Sequence, residues 1–175
     1  EFMQMEDVYR IDQGIERYMT KTQKKTADFM EGCMELGGLL GDWSESEIVE
    51  LKKYGHALGM AFQITDDIMD YRETSETTGK PVGNDLREGL LTYPLLSIVN
   101  DDNKDRLLAD IKALNNGGNE QDIIDYVIAQ GGIDNTLVVA DKYCKDALAA
   151  LEAVRDFPGK EFLVMAVENL TDRKV

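Results

Sequence analysis

The sequence predicts an all-α fold, a helical bundle. Apolar residues recur at intervals of three and four rather than two, which is the period of a helix and not of a strand. Only three prolines occur in 175 residues, so long stretches carry no helix breaker. Nothing in the chain reads as a strand, no internal repeat is present, and no linker divides it.

The elements follow in order. From about Asp7 to Leu40, the series Tyr9, Ile15, Tyr18, Met19, Ala27, Met30 and Met34 predicts one or two long helices, ended by Gly41-Asp42. Ser44-Glu45-Ser46-Glu47 then reads as a capping box, with Ser44 as N-cap and Glu47 reaching back. A helix should run from there to about Tyr71 on Ile48, Leu51, Leu58 and Phe62. Residues Thr74–Leu91 hold Gly79, Pro81, Gly83 and Gly89 and are expected to form an ordered loop. A short helix is expected near Thr92, capped by its hydroxyl, with Pro94 in the first turn. Asn100–Asn103 is a polar break, Lys104–Leu114 is helical, and Asn115–Gly118 is a turn. Further helices are expected over Gln121–Gln130, over Asp134–Phe157 after the Gly131-Gly132 break, and from Pro158 to about Arg173.

Composition narrows the function. Hydrophobic residues make up 43%, enough for a core. Acidic residues number 34 and basic ones 19, a net charge of −15. That excess argues against a general nucleic-acid binder and against docking on anionic membranes. It leaves a phosphorylated substrate open, because local charge and bound metal decide that. The two cysteines, Cys33 and Cys144, form no CxxC pair, so a zinc site or redox motif is not indicated. They are expected to be buried, reduced thiols of a cytoplasmic protein. Apolar runs such as Leu137–Ala140 are too short to cross a bilayer, and no signal peptide is recognisable. The chain starts at Glu1 rather than Met, which fits a piece of a longer one.

The chemistry concentrates in Phe62-Gln63-Ile64-Thr65-Asp66-Asp67-Ile68-Met69-Asp70. On a helix, Asp66 and Asp70 lie one turn apart on one face, and Gln63 joins it. No Lys or Arg lies between Phe62 and Tyr71 to relieve the like charges. A hard divalent cation would, since carboxylate oxygens suit Mg²⁺, which completes its octahedron with waters and phosphates. The plain alternative is a solvated acidic face. The apolar flanks Ala61, Phe62, Ile64, Ile68 and Met69 favour a mostly buried helix whose acidic stripe faces a cleft.

Basic candidates stand on either side. Lys80 sits in Gly79-Lys80-Pro81-Val82-Gly83-Asn84-Asp85, where glycines permit close backbone approach to a ligand and Asp85 can take a supporting role. It is not a Walker A loop: the first glycine is missing at Thr74 and no Ser or Thr follows the lysine. Lys24-Lys25-Thr26 offers a lysine beside a hydroxyl for diphosphate oxygens, although taken alone the pair is weak and a solvated helix face is its ordinary explanation. The Asp101-Asn103-Asp105 run lacks the glycine and closing Glu of an EF-hand. His56, the chain's only histidine, suggests no catalytic triad and is expected to be packed or on the surface. The eight methionines read as core filling.

Residues Gly59–Leu96 resemble the second aspartate-rich region of trans-polyprenyl diphosphate synthases. Phe62-Gln63, the Asp66/Asp67/Asp70 set, Gly79-Lys80 and Gly83-Asn84-Asp85-Leu86 occur in the family's order and spacing, and so does Lys25-Thr26 upstream. Long-chain bacterial members, such as the catalytic subunit of heptaprenyl diphosphate synthase, look closest. The resemblance implies an isoprenoid synthase type fold and Mg²⁺-assisted transfer of an allylic diphosphate's prenyl group to isopentenyl diphosphate. The product would be a long-chain polyprenyl diphosphate of the quinone side-chain type. It implies Asp66, Asp67 and Asp70 as metal residues, and Lys25, Thr26, Gln63 and Lys80 as diphosphate contacts. Of these, Lys25, Asp66 and Lys80 would be catalytic, with Asp85 supporting them. It also implies a homodimer, or a heterodimer with a small subunit. The family's first aspartate-rich motif has no counterpart here. Residues 1–175 are therefore expected to be a C-terminal half, inactive alone. The alternative is a non-catalytic subunit or fragment that associates with a complete synthase.

Overall fold

The helical period is realised throughout a computed structural model that describes residues 2–72 and 83–172. Ten α-helices follow one another among these residues, and no strand is present. They are α1 (Phe2–Glu6), α2 (Gly14–Thr22), α3 (Asp28–Leu40), α4 (Glu45–Arg72), α5 (Asn84–Glu88), α6 (Tyr93–Leu96), α7 (Lys104–Ala113), α8 (Glu120–Ala129), α9 (Gly132–Glu152) and α10 (Lys160–Asp172). A π-helical turn, Gln23–Ala27, joins α2 to α3. Two 3₁₀ turns, Ile11–Gln13 and Leu114–Asn116, complete the described elements.

Several boundaries differ from expectation, each for a local reason. The helix expected to begin at Asp7 does not form there. Tyr9 takes φ 58°, its amide donates to the Gly89 carbonyl at 2.8 Å, and regular helix resumes only at Gly14. Asp7 spends its carboxylate on side chains instead: Arg17 Nε reaches its two oxygens at 2.7 and 2.9 Å. Arg10 and Lys21 stand at 3.5 and 3.6 Å from the same, fully buried carboxylate. Residues 84–88 are helical rather than loop, bracketed by left-handed Gly83 and Gly89. Thr92 is the N-cap of α6, yet its hydroxyl makes no capping bond and lies buried without a partner. Helix α9 stops at Glu152, five residues short of Phe157. Beyond it the chain turns toward Trp43: Arg155 lies over the indole at 4.6 Å and Phe157 packs edge-on at 4.9 Å.

The capping box forms as expected. The Glu47 amide donates to Ser44 Oγ at 3.3 Å, and Glu47 Oε2 accepts from the Ser44 amide at 3.1 Å. Cys144 is buried, but Cys33 is exposed, on a stretch of α3 that also exposes Phe29, Leu36 and Leu40. The methionines divide as well: Met60 is buried, whereas Met5 and Met165 are exposed.

The described chain forms two compact units, Glu1–Lys21 with Asp66–Thr136, and Thr22–Thr65 with Leu137–Val175. The first buries Ile68, Leu86, Leu91, Leu95, Leu107, Ile111, Ile124 and Val127. In the second, Tyr54, Ala57 and Ala61 of α4 pack with Cys144, Ala147 and Leu151 of α9 and with Val167 and Leu170 of α10. Helix α4 also runs close to α3 and the π turn before it. A Cβ on Gly55 would stand 2.6 Å from the Met30 carbonyl oxygen, and one on Gly59 would stand 2.6 Å from Ala27 Cα. Among the described residues no helix is long and apolar enough to cross a membrane.

Candidate functional site: an aspartate-rich helix

Helix α4 carries the acidic residues on two of its faces. Asp66 is exposed and Asp70 is half-buried, one turn further on. Asp67 points inward and is 3% exposed. Its carboxylate accepts the Tyr18 hydroxyl at 2.6 Å and the Tyr93 amide at 3.4 Å. The two tyrosine rings meet edge to face at 5.6 Å. Asp67 is thus engaged with protein donors, which leaves Asp66 and Asp70 as the outward pair.

Asp70 fastens the start of α5. Its two oxygens accept the amides of Asn84 at 3.1 Å and Asp85 at 3.2 Å. Its backbone carbonyl accepts the Gly83 amide at 3.0 Å. Carboxylates suit a helix N-terminus, where amides stand unpaired. Burial nevertheless pushes the Asp70 carboxyl above its ordinary value. The two amides pull against that, while Asp66 and Glu88 push the same way as burial. A carboxylate so placed gains by a nearby cation. The outward pair therefore fits the donor set of Mg²⁺, which needs few protein carboxylates.

In the other unit, Thr26 Oγ1 donates to Gln63 Oε1 at 3.1 Å. The close approach of Gly59 to Ala27 makes this contact possible. Lys25 and Thr26 both lie in the π turn, with Lys25 exposed. Such turns are rare and occur frequently at functional sites. Lys80 lies outside the described residues. The partners of Asp67 are not legible in the sequence, since Tyr18 sits 49 residues away and its place in an apolar series marks it only as core. The same holds for Lys21, one turn before Lys25. Its ammonium is lowered by burial, against the raising effects of Asp7 and Asp67.

The family model for polyprenyl synthetase matches residues 1–130. The chain belongs to the polyprenyl synthetase family. Heptaprenyl diphosphate synthase component 2 of Geobacillus stearothermophilus is 32% identical over 154 residues, 88% of this chain and 48% of that protein. Octaprenyl diphosphate synthase of Escherichia coli K12 is 32% identical over 167 residues, 94% and 52% of the two chains. Heptaprenyl diphosphate synthase from Staphylococcus aureus superposes with a TM-score of 0.85 at 27% identity, covering 99% of this chain and 55% of that one. A Caulobacter crescentus polyprenyl synthase, complexed with calcium and isoprenyl diphosphate, gives a TM-score of 0.85 at 28% identity, covering 99% and 54%. The all-α isoprenoid synthase fold of these relatives is the fold of this chain. This polyprenyl synthetase chain spans about half the length of the curated relatives it matches.

Proposed function

We propose that the chain is the C-terminal half of a trans-polyprenyl diphosphate synthase and supplies the second aspartate-rich face of its site. The observation that carries this is the division of labour on α4: Asp67 is held inside by Tyr18 and Tyr93, while Asp66 is exposed and Asp70, one turn on, is half-buried at the start of α5. Asp66 and Asp70 would hold Mg²⁺. When bound, Mg²⁺ neutralises charge that grows on a departing diphosphate.

The chain's own residues position and neutralise. Lys25, Thr26 and Gln63 would meet the diphosphate of the allylic substrate, with Lys80 as a further cation. Asp67 would orient the helix face from behind, and Asp85 would act from the α5 turn. No side chain here serves as a nucleophile. Isopentenyl diphosphate would attack the allylic carbon, and a proton would be lost from the product, a long-chain polyprenyl diphosphate of the quinone side-chain type. The chain alone would be inactive. A cytoplasmic enzyme that works as a dimer belongs to the same reading. The relatives titled component 2, from Geobacillus stearothermophilus and Bacillus subtilis, support a partner subunit.

Calorimetry tests the proposal. Inorganic diphosphate should bind the chain more tightly with Mg²⁺ than without it, and Asp66→Ala should abolish that difference. Unchanged Mg²⁺-dependent affinity would sink the metal assignment. In a prenyl-transfer assay with labelled isopentenyl diphosphate, the chain should give no product until an N-terminal half is added in trans.

A further inference from the structure

We propose that Asp28, Glu31 and His56 form a site for a borderline divalent cation such as Zn²⁺. The site uses none of the residues assigned above and does not rest on the proposed function. One ligand atom from each residue lies within 4.8 Å of the others. His56 Nδ1 and Glu31 Oε2 are already 3.5 Å apart. Metal–ligand bonds of 2.0–2.1 Å in a tetrahedron set ligands about 3.4 Å apart. Asp28, exposed at the start of α3, supplies the third ligand atom.

The backbone fixes the pairing. Gly55 packs directly on α3, where a Cβ would stand 2.6 Å from the Met30 carbonyl oxygen and 2.9 Å from Glu31 Cα. His56 is the next residue, so its imidazole enters beside Glu31 by backbone contact rather than by side-chain reach. Asp28 and Glu31 are three apart on one helix and share a face. Gln23 donates to Asp28 Oδ1 at 3.1 Å, which orients the carboxylate and leaves Oδ2 free to turn toward an ion.

The competing cation is Lys52. It stands 3.0 Å from Glu35 and 3.7 Å from Glu31, so Glu35 holds it when Glu31 turns to a metal. Glu31 and His56 also line an open groove of about 650 Å³, so an ion has a path in and a fourth position for water. Imidazole selects zinc-type ions over Mg²⁺, which prefers oxygen alone. Two carboxylates and a neutral imidazole balance the charge of the ion. Cysteine spacing gives no hint of this site, because it uses no sulfur.

The whole chain is titrated with ZnCl₂ in excess MgCl₂, and the imidazole nitrogens are followed by NMR. His56 is the only histidine, so the signals need no assignment. One equivalent of Zn²⁺ should shift them. His56→Gln and Glu31→Gln should each weaken Zn²⁺ binding by at least about 10-fold. Asp66→Asn should leave it unchanged. Unmoved imidazole signals would overturn the proposal, a test that needs no variant to fold. So would binding that survives His56→Gln, or binding lost with Asp66→Asn.

Discussion

The Tyr18 hydroxyl donates to the Asp67 carboxylate at 2.6 Å and ties α2 to α4 in the interior of the first unit. Tyr18→Phe removes the donor but keeps the ring against Tyr93. A lost hydrogen bond to a carboxylate costs about 1.5–3 kcal/mol. Urea denaturation should show that loss, and an unchanged midpoint would mean the contact is not stabilising.

Asp7 concentrates three basic side chains on one buried carboxylate. Asp7→Asn keeps the shape and leaves Arg17 and Lys21 facing an amide. Asp7 is fully buried while Arg17 and Arg10 are partly exposed, so removing its charge should lower the urea midpoint. The loss should be nearly insensitive to added salt, because buried pairs are weakly screened. A loss that fades with salt would mean that the cluster is solvated.

Two glycines should respond in opposite directions. At Gly59 a methyl meets Ala27 backbone at 2.6 Å, whereas at Gly32 nothing lies within 4 Å. Gly32→Ala should stabilise by up to about 1 kcal/mol through helix propensity. Gly59→Ala should destabilise by about 1–3 kcal/mol, because helices must part. Melting temperatures of the pair read this, and equal shifts would refute the close approach.

Stability should fall in strong alkali. Burial pushes the Tyr54 hydroxyl from 10.0 up to about 12, and it donates to the Leu163 carbonyl at 2.9 Å. Tyr71 is raised in the same direction by burial. A group whose folded pKa is raised binds more protons when folded, so its stabilisation is complete below about pH 10 and drains away up to about 12. Tyr54 alone is worth about 2–3 kcal/mol over that window. Tyr54→Phe should flatten the slope of stability against pH. A variant slope equal to the parent's would assign the effect elsewhere.

What the sequence made legible was local. Ser44 and Glu47 are three apart and bond each other, so spacing alone revealed the cap. The same holds for Asp66 and Asp70, one turn apart on α4. What stayed hidden depended on distant partners. Tyr9 leaves the helical region because its amide and ring meet Gly89, 80 positions along the chain. Helix α9 ends early because Trp43 draws Arg155 and Phe157 away. The inward aim of Asp67 likewise follows from Tyr18, and a run of three aspartates cannot say which one turns its back.

Asp70 stands at both ends of one stretch of chain. Helix α4 closes two residues after it, and the returning backbone is pinned to it by the amides of Gly83, Asn84 and Asp85. Any ligand that takes a carboxylate oxygen of Asp70 must share it with the amide of Asn84 or Asp85. The residue therefore acts as a latch as well as an anchor: occupancy in front of α4 would be written into the hydrogen-exchange rates of Asn84 and Asp85 behind it.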